Sequence, residues 1–133
     1  MYNTYMANII LDSRKLMAYE DLKYLCEFTG KPQELADSIW QGLLQYPELY
    51  DEFLYYLDNR ALKDKFTFKG YSLTDIYVYR LTEHNLFSDT GKNTAACSKD
   101  AMILETFEGM LALIASPDEY IKKINSGNGM DKF

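Results

Sequence analysis

Residues 32–59, PQELADSIWQGLLQYPELYDEFLYYLDN, carry the clearest helical pattern in the chain and indicate its fold class. Apolar residues recur three or four positions apart, which is the spacing of one face of an α-helix. In the first half of the stretch these residues are Leu35, Ala36, Ile39, Trp40, Leu43 and Leu44. Pro47 is expected to end that helix and to open a second one, because proline is tolerated only in the first turn of a helix.

The second helix of this stretch is predicted to end near Asn59. Its inward-facing residues are expected to be Leu49, Phe53, Leu54 and Leu57. Four acidic residues of the same helix, Glu48, Asp51, Glu52 and Asp58, match no calcium-loop spacing and are interpreted as a solvated face.

Comparable signals on both sides extend the helical prediction. Residues 2–12 are predicted to form a short helix, and Leu22, Leu25, Cys26 and Phe28 give residues 19–28 an apolar face. Gly30 follows at the position of a left-handed cap. The remaining predicted helices cover residues 73–84, about 94 or 98 to 115, and 117–125.

Residues 61–71 interrupt the helical pattern. Phe66 and Phe68 alternate with Thr67 and Lys69, and Gly70 follows, which predicts a short strand or hairpin near residues 65–71. Ser72 precedes Asp75 by three positions, as in a capping box, so a helix is predicted from residue 73 onward. Residues 76–81 also alternate as a strand could, but the cap and the length favour a helix.

The sequence therefore predicts an all-α fold, a compact array of five to seven short helices. The chain has 133 residues, the usual size of one domain. We expect a single helical domain over residues 1–126 and a flexible tail over residues 127–133.

The charge distribution disfavours sequence-independent binding to nucleic acid. The net charge is −6, and residues 31–60 hold two basic and six acidic groups. The longest apolar run, residues 110–115, is far shorter than the roughly 20 residues that span a bilayer. Two distant cysteines do not suggest a disulfide framework, so we expect a soluble, cytoplasmic protein without membrane association.

Residues 89–94, DTGKNT, contain a glycine-lysine pair but do not match a phosphate loop. Such a loop needs a glycine where Leu86 stands and a serine or threonine where Asn93 stands. A turn before a helix is the favoured interpretation. Gly91, Lys92 and Asn93 remain candidates for an anion site at the start of that helix.

Cys97 and the sole histidine, His84, are the weak candidates for catalysis. Cys97 lies near a predicted helix start beside Lys99, which would lower the pKa of its thiol, and a histidine could act as its base. A buried structural thiol is the favoured alternative. One histidine and two distant cysteines predict no zinc site, and we expect no metal or other cofactor.

Two further groups of residues suggest binding. Arg60, Lys63, Lys65 and Lys69 alternate with aromatic residues, as in proteins that contact single-stranded nucleic acid. The favoured alternative is an edge strand whose lysines prevent aggregation. The second group, a candidate small-ligand pocket, is Trp40, Tyr77, Arg80 and His84, although a structural ion pair is the simpler role for a half-buried arginine.

Two segments give the chain a resemblance to a known group of proteins. Residues 70–75, GYSLTD, and residues 89–93, DTGKN, followed by Cys97, Lys99 and Met102, resemble small uncharacterised helical proteins of Gram-positive gut bacteria, some of them associated with mobile elements. The resemblance covers about half of the chain. It implies an accessory or regulatory role and no particular activity.

The leading functional hypothesis is a non-enzymatic helical interaction module, with a homodimer as one form. Aromatic residues make up 15 % of the chain, and tyrosine, methionine and phenylalanine are common at interfaces. One alternative is an accessory protein that contacts nucleic acid through residues 60–71, or mimics nucleic acid with its acidic residues 34–58. Another is a small enzyme that uses Cys97 and His84.

Overall fold

The computed structural model describes residues 16–84 and 98–125. Within them the chain forms six helices and one hairpin, which confirms the all-α prediction. The helices are α1 over residues 16–28, α2 Gln33–Gln45, α3 Pro47–Asn59, α4 Leu73–Glu83, α5 Lys99–Ala115 and α6 Pro117–Asn125. The strands are β1 Thr67–Phe68 and β2 Tyr71–Ser72, which pair antiparallel. The helix predicted over residues 2–12, the loop over 85–94 and the tail over 127–133 lie outside the described residues.

The boundaries of α1, α2 and α3 follow from glycine and proline. Gly30 has a φ of +75°, and the Lys31 amide N–H donates to the Cys26 carbonyl at 2.8 Å, so α1 ends in the predicted left-handed turn. Pro32 precedes α2 as its extended N-cap residue instead of occupying its first turn. Pro47 is the first residue of α3, as predicted.

Helix α3 buries a different face from the predicted one. Leu49 and Phe53 are buried as expected, but Leu54 and Leu57 are only half-buried, and Glu52 and Tyr56 take the buried positions.

The prediction that Glu52 belongs to a solvated face is therefore wrong. Its carboxylate accepts the backbone N–H groups of Lys63 at 3.2 Å and of Lys65 and Phe66 at 2.7 Å each. A connection that leaves three amide donors without a secondary-structure partner needs an acceptor, and Glu52 supplies it.

The hairpin predicted near residues 65–71 is present and short. Phe68 pairs with Tyr71, and the two residues between them, Lys69 and Gly70, both have positive φ values of 55° and 83°. Positive φ at both central positions is the geometry of a type I′ turn, which suits a two-residue hairpin loop. Ser72 and Asp75 then form the predicted capping box of α4.

The core is centred on α5. All residues from Ala101 to Phe107 are buried, because α2, α4 and α6 all pack on this helix. Leu111 and Ile114, further along the same helix, are only half-buried.

Two helices pack closely against α5 at Gly109. A Cβ there would lie 2.8 Å from Ile76 Cγ2 and closer still to the Tyr120 hydroxyl, so α4 and α6 approach the α5 backbone at this point. In the described ranges no helix is both long and apolar enough to cross a bilayer.

Candidate functional site

Exposed apolar side chains concentrate on one helix. Of the five large apolar residues that are exposed in the described part of the chain, four belong to α1 and the fifth, Leu44, to α2. The four are Leu16, Met17, Tyr24 and Phe28. Met17 and Tyr24 are each 62 % exposed and Phe28 is 48 % exposed, which is unusual for side chains of this size.

Three of these side chains form one surface, here called the α1 strip: Met17, Tyr24 and Phe28. They are separated by seven and four positions, so at about 100° per residue they lie within roughly 40° of one another around the helix. The rings of Tyr24 and Phe28 stack, with their centroids 6.1 Å apart and an interplanar angle of 17°. At 1.5 Å per residue the strip is about 16 Å long.

Acidic side chains border the α1 strip. Glu20, Asp21 and Glu27 are exposed on the same helix. Lys23, the basic residue of this stretch, points away from the strip by helical position and pairs with Glu20 at 3.4 Å. The strip therefore offers an apolar surface with a negative border.

A second unusual region lies inside the molecule, around Glu105 on α5. Its carboxylate is 2.9 Å from His84 Nε2 and 3.1 Å from Lys31 Nζ, and an Arg80 guanidinium nitrogen lies 3.9 Å away. Burial alone would raise the pKa of Glu105, but hydrogen bonds from His84 and Lys31 outweigh it, so its pKa lies below the ordinary value. Glu105, His84, Lys31 and Arg80 are called the Glu105 cluster below.

Arg80 joins this cluster to the surface. It pairs with Glu83 at 2.9 Å and lies 3.9 Å from Glu108. Its Nε and the Tyr120 hydroxyl are both buried and have no hydrogen-bond partner among the described residues, and Arg80 and Tyr120 are electrostatic neighbours. A structural ion-pair network accounts for the arginine, which is the simpler role considered for it from the sequence.

The thiol next to this region is not activated. Cys26 is fully buried, and burial raises the pKa of its thiol, although Lys31 opposes the shift in part. A raised pKa keeps the thiol protonated at neutral pH, so Cys26 is a core residue and not a nucleophile.

The four residues of the predicted ligand pocket lie in three surroundings. Arg80 and His84 meet at Glu105. Tyr77 lines a cavity with Tyr56 and Ile103. Trp40 packs between Tyr19 and Tyr50, with ring centroids 5.4 Å and 5.7 Å away.

The predicted basic segment is held by side chains of α3. Arg60 lies over the Tyr56 ring at 5.6 Å and Lys63 over the Tyr55 ring at 5.4 Å. Lys65 bonds to Glu52 through its backbone, and Lys69 lies in the hairpin turn. Nucleic-acid contact by these residues stays a prediction.

Other predicted residues lie outside the described part of the chain: Cys97, Gly91, Lys92 and Asn93. Their proposed roles in catalysis and anion binding therefore stay predictions. Across residues 16–84 and 98–125, no group of three or more histidine, cysteine or acidic side chains could hold a metal ion.

The α1 strip was missed from the sequence because Phe28 was assigned to the buried face of its helix. The signal that could have found it is the spacing of Met17, Tyr24 and Phe28, which lie opposite Leu22 and Cys26 on the helix. Comparisons with models of protein families, with characterised proteins and with solved structures find no match for this chain.

Proposed function

We propose that this chain is a non-enzymatic helical interaction module and that the α1 strip is its docking surface. The observation that carries the proposal is the concentration of exposed large apolar side chains on α1, two of which stack on each other in solvent. Contiguous apolar surface with a polar border is typical of protein-binding sites. The accessory or regulatory role implied by the resemblance fits such a module.

The border of the strip specifies the partner. Glu20, Asp21 and Glu27 surround the apolar side chains, so a partner segment with basic residues beside its apolar face is electrostatically favoured. A second copy of α1 would place its own acidic residues against these, which disfavours a symmetric contact. The proposed partner is therefore a basic amphipathic helix that lies along the strip.

Two designed peptides test this partner chemistry. Both are amphipathic helices of about 18 residues with leucines on one face, one with lysines and the other with glutamates on the opposite face. Isothermal titration should show binding of the leucine-lysine peptide and none of the leucine-glutamate peptide. The double variant Tyr24→Gln/Phe28→Gln should weaken the first interaction by about tenfold or more.

Leu44→Gln is the matched control, because it also replaces an exposed large apolar residue, but on α2. It should leave the affinity for the leucine-lysine peptide unchanged. Equal losses in the control and in the double variant would mean non-specific attraction to an acidic protein and would overturn the proposal. Light scattering tests the homodimer. A doubled mass of the wild type that is lost in the double variant would mean that the strip binds a second copy of the chain and not a basic helix.

A further inference from the structure

We propose that the cavity between the end of α3 and the starts of α4 and α5 binds a small aromatic carboxylate. The cavity has a volume of about 310 Å³. The residues that carry the argument are Tyr56, Arg60, Leu62, Tyr77, Lys99 and Ile103. This site is separate from the α1 strip and does not depend on the function proposed for it.

The inner surface of the cavity suits an aromatic ring. Tyr56 and Ile103 are buried, and Leu62 and Tyr77 are half-buried, so the walls are largely apolar with two phenol rings among them. Burial raises the pKa of both tyrosines, which keeps their hydroxyl groups neutral at physiological pH. A cavity of this size lies at the lower end of the range for ligand pockets and matches a ligand of one or two fused rings.

The charged residues of the cavity suit an anion. Among the described residues its lining includes two cations, Arg60 and Lys99, and no carboxylate. This pair stands out in a chain with a net charge of −6. The ammonium of Lys99 donates to the Arg60 carbonyl at 2.8 Å, which keeps the two residues together at the mouth.

Asp100 determines the charge balance of the cavity. Asp100, beside the cavity, accepts the Tyr56 hydroxyl at 2.7 Å and lies 3.3 Å from an Arg60 guanidinium nitrogen. Asp100 therefore balances the charge of Arg60, whereas Lys99 forms no ion pair with the residues that the structure describes and can complement one negative group. A guanidinium and an ammonium above an aromatic-lined cavity are the chemistry that recognises a carboxylate on a flat apolar body.

Indole-3-acetate and its uncharged analogue indole-3-acetamide test whether the cavity binds an aromatic ring and whether it selects a negative charge. The two probes have the same shape and differ in the charge of the polar group. Titration followed by amide NMR shifts should give a dissociation constant of about 1 mM or lower for the acid and an affinity about tenfold weaker for the amide. The shifted resonances should include those of Arg60, Tyr77 and Lys99.

Three variants locate the site. Arg60→Gln and Lys99→Met should weaken binding of the acid by about tenfold and leave binding of the amide unchanged, which also shows that the cavity is intact. Ala61→Trp, at an exposed position on the cavity wall, should block both probes by filling the space. Lys63→Met is the matched control, because it removes a cation of the same segment that does not line this cavity.

Each other outcome overturns the inference. Absence of binding by either probe at 10 mM, far above about 1 mM, excludes the site. Equal affinities for acid and amide exclude the anion selectivity. Binding of the acid that survives Ala61→Trp, or that Lys63→Met weakens as much as Lys99→Met does, places the probe elsewhere. The Tyr24→Gln/Phe28→Gln variant should bind the acid normally, so this inference and the proposed function succeed or fail separately.

Discussion

The Glu105 cluster and the α1 strip reverse the usual distribution of polar and apolar groups in opposite ways. The cluster buries a carboxylate on α5 beneath three basic side chains that are partly exposed, whereas the strip places two aromatic rings and a methionine in solvent. Glu105 is 7 % exposed, and Tyr24 is 62 % exposed. A buried charged group and an exposed large apolar side chain are each unfavourable in free energy unless something compensates for them.

The difference between the two regions is whether the unusual group has a partner within the chain. Glu105 contacts His84, Lys31 and Arg80, so its burial is compensated internally and the cluster stabilises the fold. The rings of Tyr24 and Phe28 stack on each other, yet the two residues remain 62 % and 48 % exposed. Charge inside the molecule is thus a structural feature, whereas the apolar α1 strip is left uncovered by the described residues.

The largest expected effect is on the cluster side of this comparison. Glu105→Gln keeps the shape of the side chain and removes the charge that balances Lys31 and Arg80. Lys31 would lose its carboxylate partner, whereas Arg80 keeps Glu83, so the free energy of unfolding should fall by roughly 2–3 kcal/mol, somewhat less than for a wholly buried pair. Urea unfolding followed by circular dichroism measures the change.

Glu108→Gln is the control, because Glu108 belongs to the same helix, lies 3.9 Å from Arg80 and has a side chain that is 46 % exposed. Its substitution should change stability by less than about 0.5 kcal/mol. Equal effects of the two substitutions would show that the Glu105 cluster contributes no more than an ordinary surface pair.

The next effect concerns packing beside the cluster. Gly109→Ala would place a methyl group against Ile76 and the Tyr120 hydroxyl, at less than van der Waals distance. Overpacking should lower the free energy of unfolding by about 2–3 kcal/mol. The better helix propensity of alanine should raise it by about 1 kcal/mol, so the net destabilisation should be roughly 1–2 kcal/mol. Thermal and urea unfolding of the variant measure the sum.

Gly42→Ala is the matched change on α2, where the nearest atoms to the added methyl group all belong to the Leu111 side chain. Leu111 is half-buried and can move aside, so this variant should be near neutral. Removing the Tyr120 hydroxyl in Gly109→Ala/Tyr120→Phe should restore part of the stability, and its failure to do so would place the strain at Ile76 alone.

A smaller effect is the pH dependence that Glu105 introduces. Its folded pKa lies below the ordinary value of 4.5. A carboxyl group with a lowered folded pKa contributes stability that is fully present above its unfolded pKa and is lost as the pH falls through the folded pKa. Unfolding free energies of the wild type should therefore decrease as the pH falls below 4.5, and Glu105→Gln should reduce that slope. An identical slope in the two proteins would contradict the assignment.

The sequence predicts the helices well because their boundaries depend on local chemistry. Pro47, Gly30 and the Ser72–Asp75 capping box each act within a few residues, and each is found where it was expected. Which face of a helix is buried depends instead on what packs against it. Glu52 is buried because a connection more than ten residues further along the chain leaves its amide groups unpaired, and no local pattern contains that information.

The candidate site was harder to predict for the same reason. Helical periodicity indicates that Phe28 is apolar and on a helix but does not indicate whether a second element covers it. The sequence predicts Arg80 and His84 in one group, yet their common partner Glu105 lies 21 residues beyond His84, and no local pattern marks it. Residues that act through distant contacts require the three-dimensional structure.

The smallest expected effect lies on the α1 strip and is the most informative about function. Tyr24→Gln/Phe28→Gln removes two exposed rings, and glutamine has good helix propensity, so the free energy of unfolding should change by less than about 0.5 kcal/mol. Truncating a core aromatic residue typically lowers the free energy of unfolding by about 3–5 kcal/mol. Phe53→Ala supplies that contrast, because the Phe53 ring is fully buried against Phe107. If urea unfolding shows the double variant to be destabilised by more than 2 kcal/mol, well beyond about 0.5 kcal/mol, the rings support the fold and the comparison with the Glu105 cluster fails. If stability is unchanged while binding of the leucine-lysine peptide is lost, stability alone does not explain two large rings in solvent, and docking a partner does.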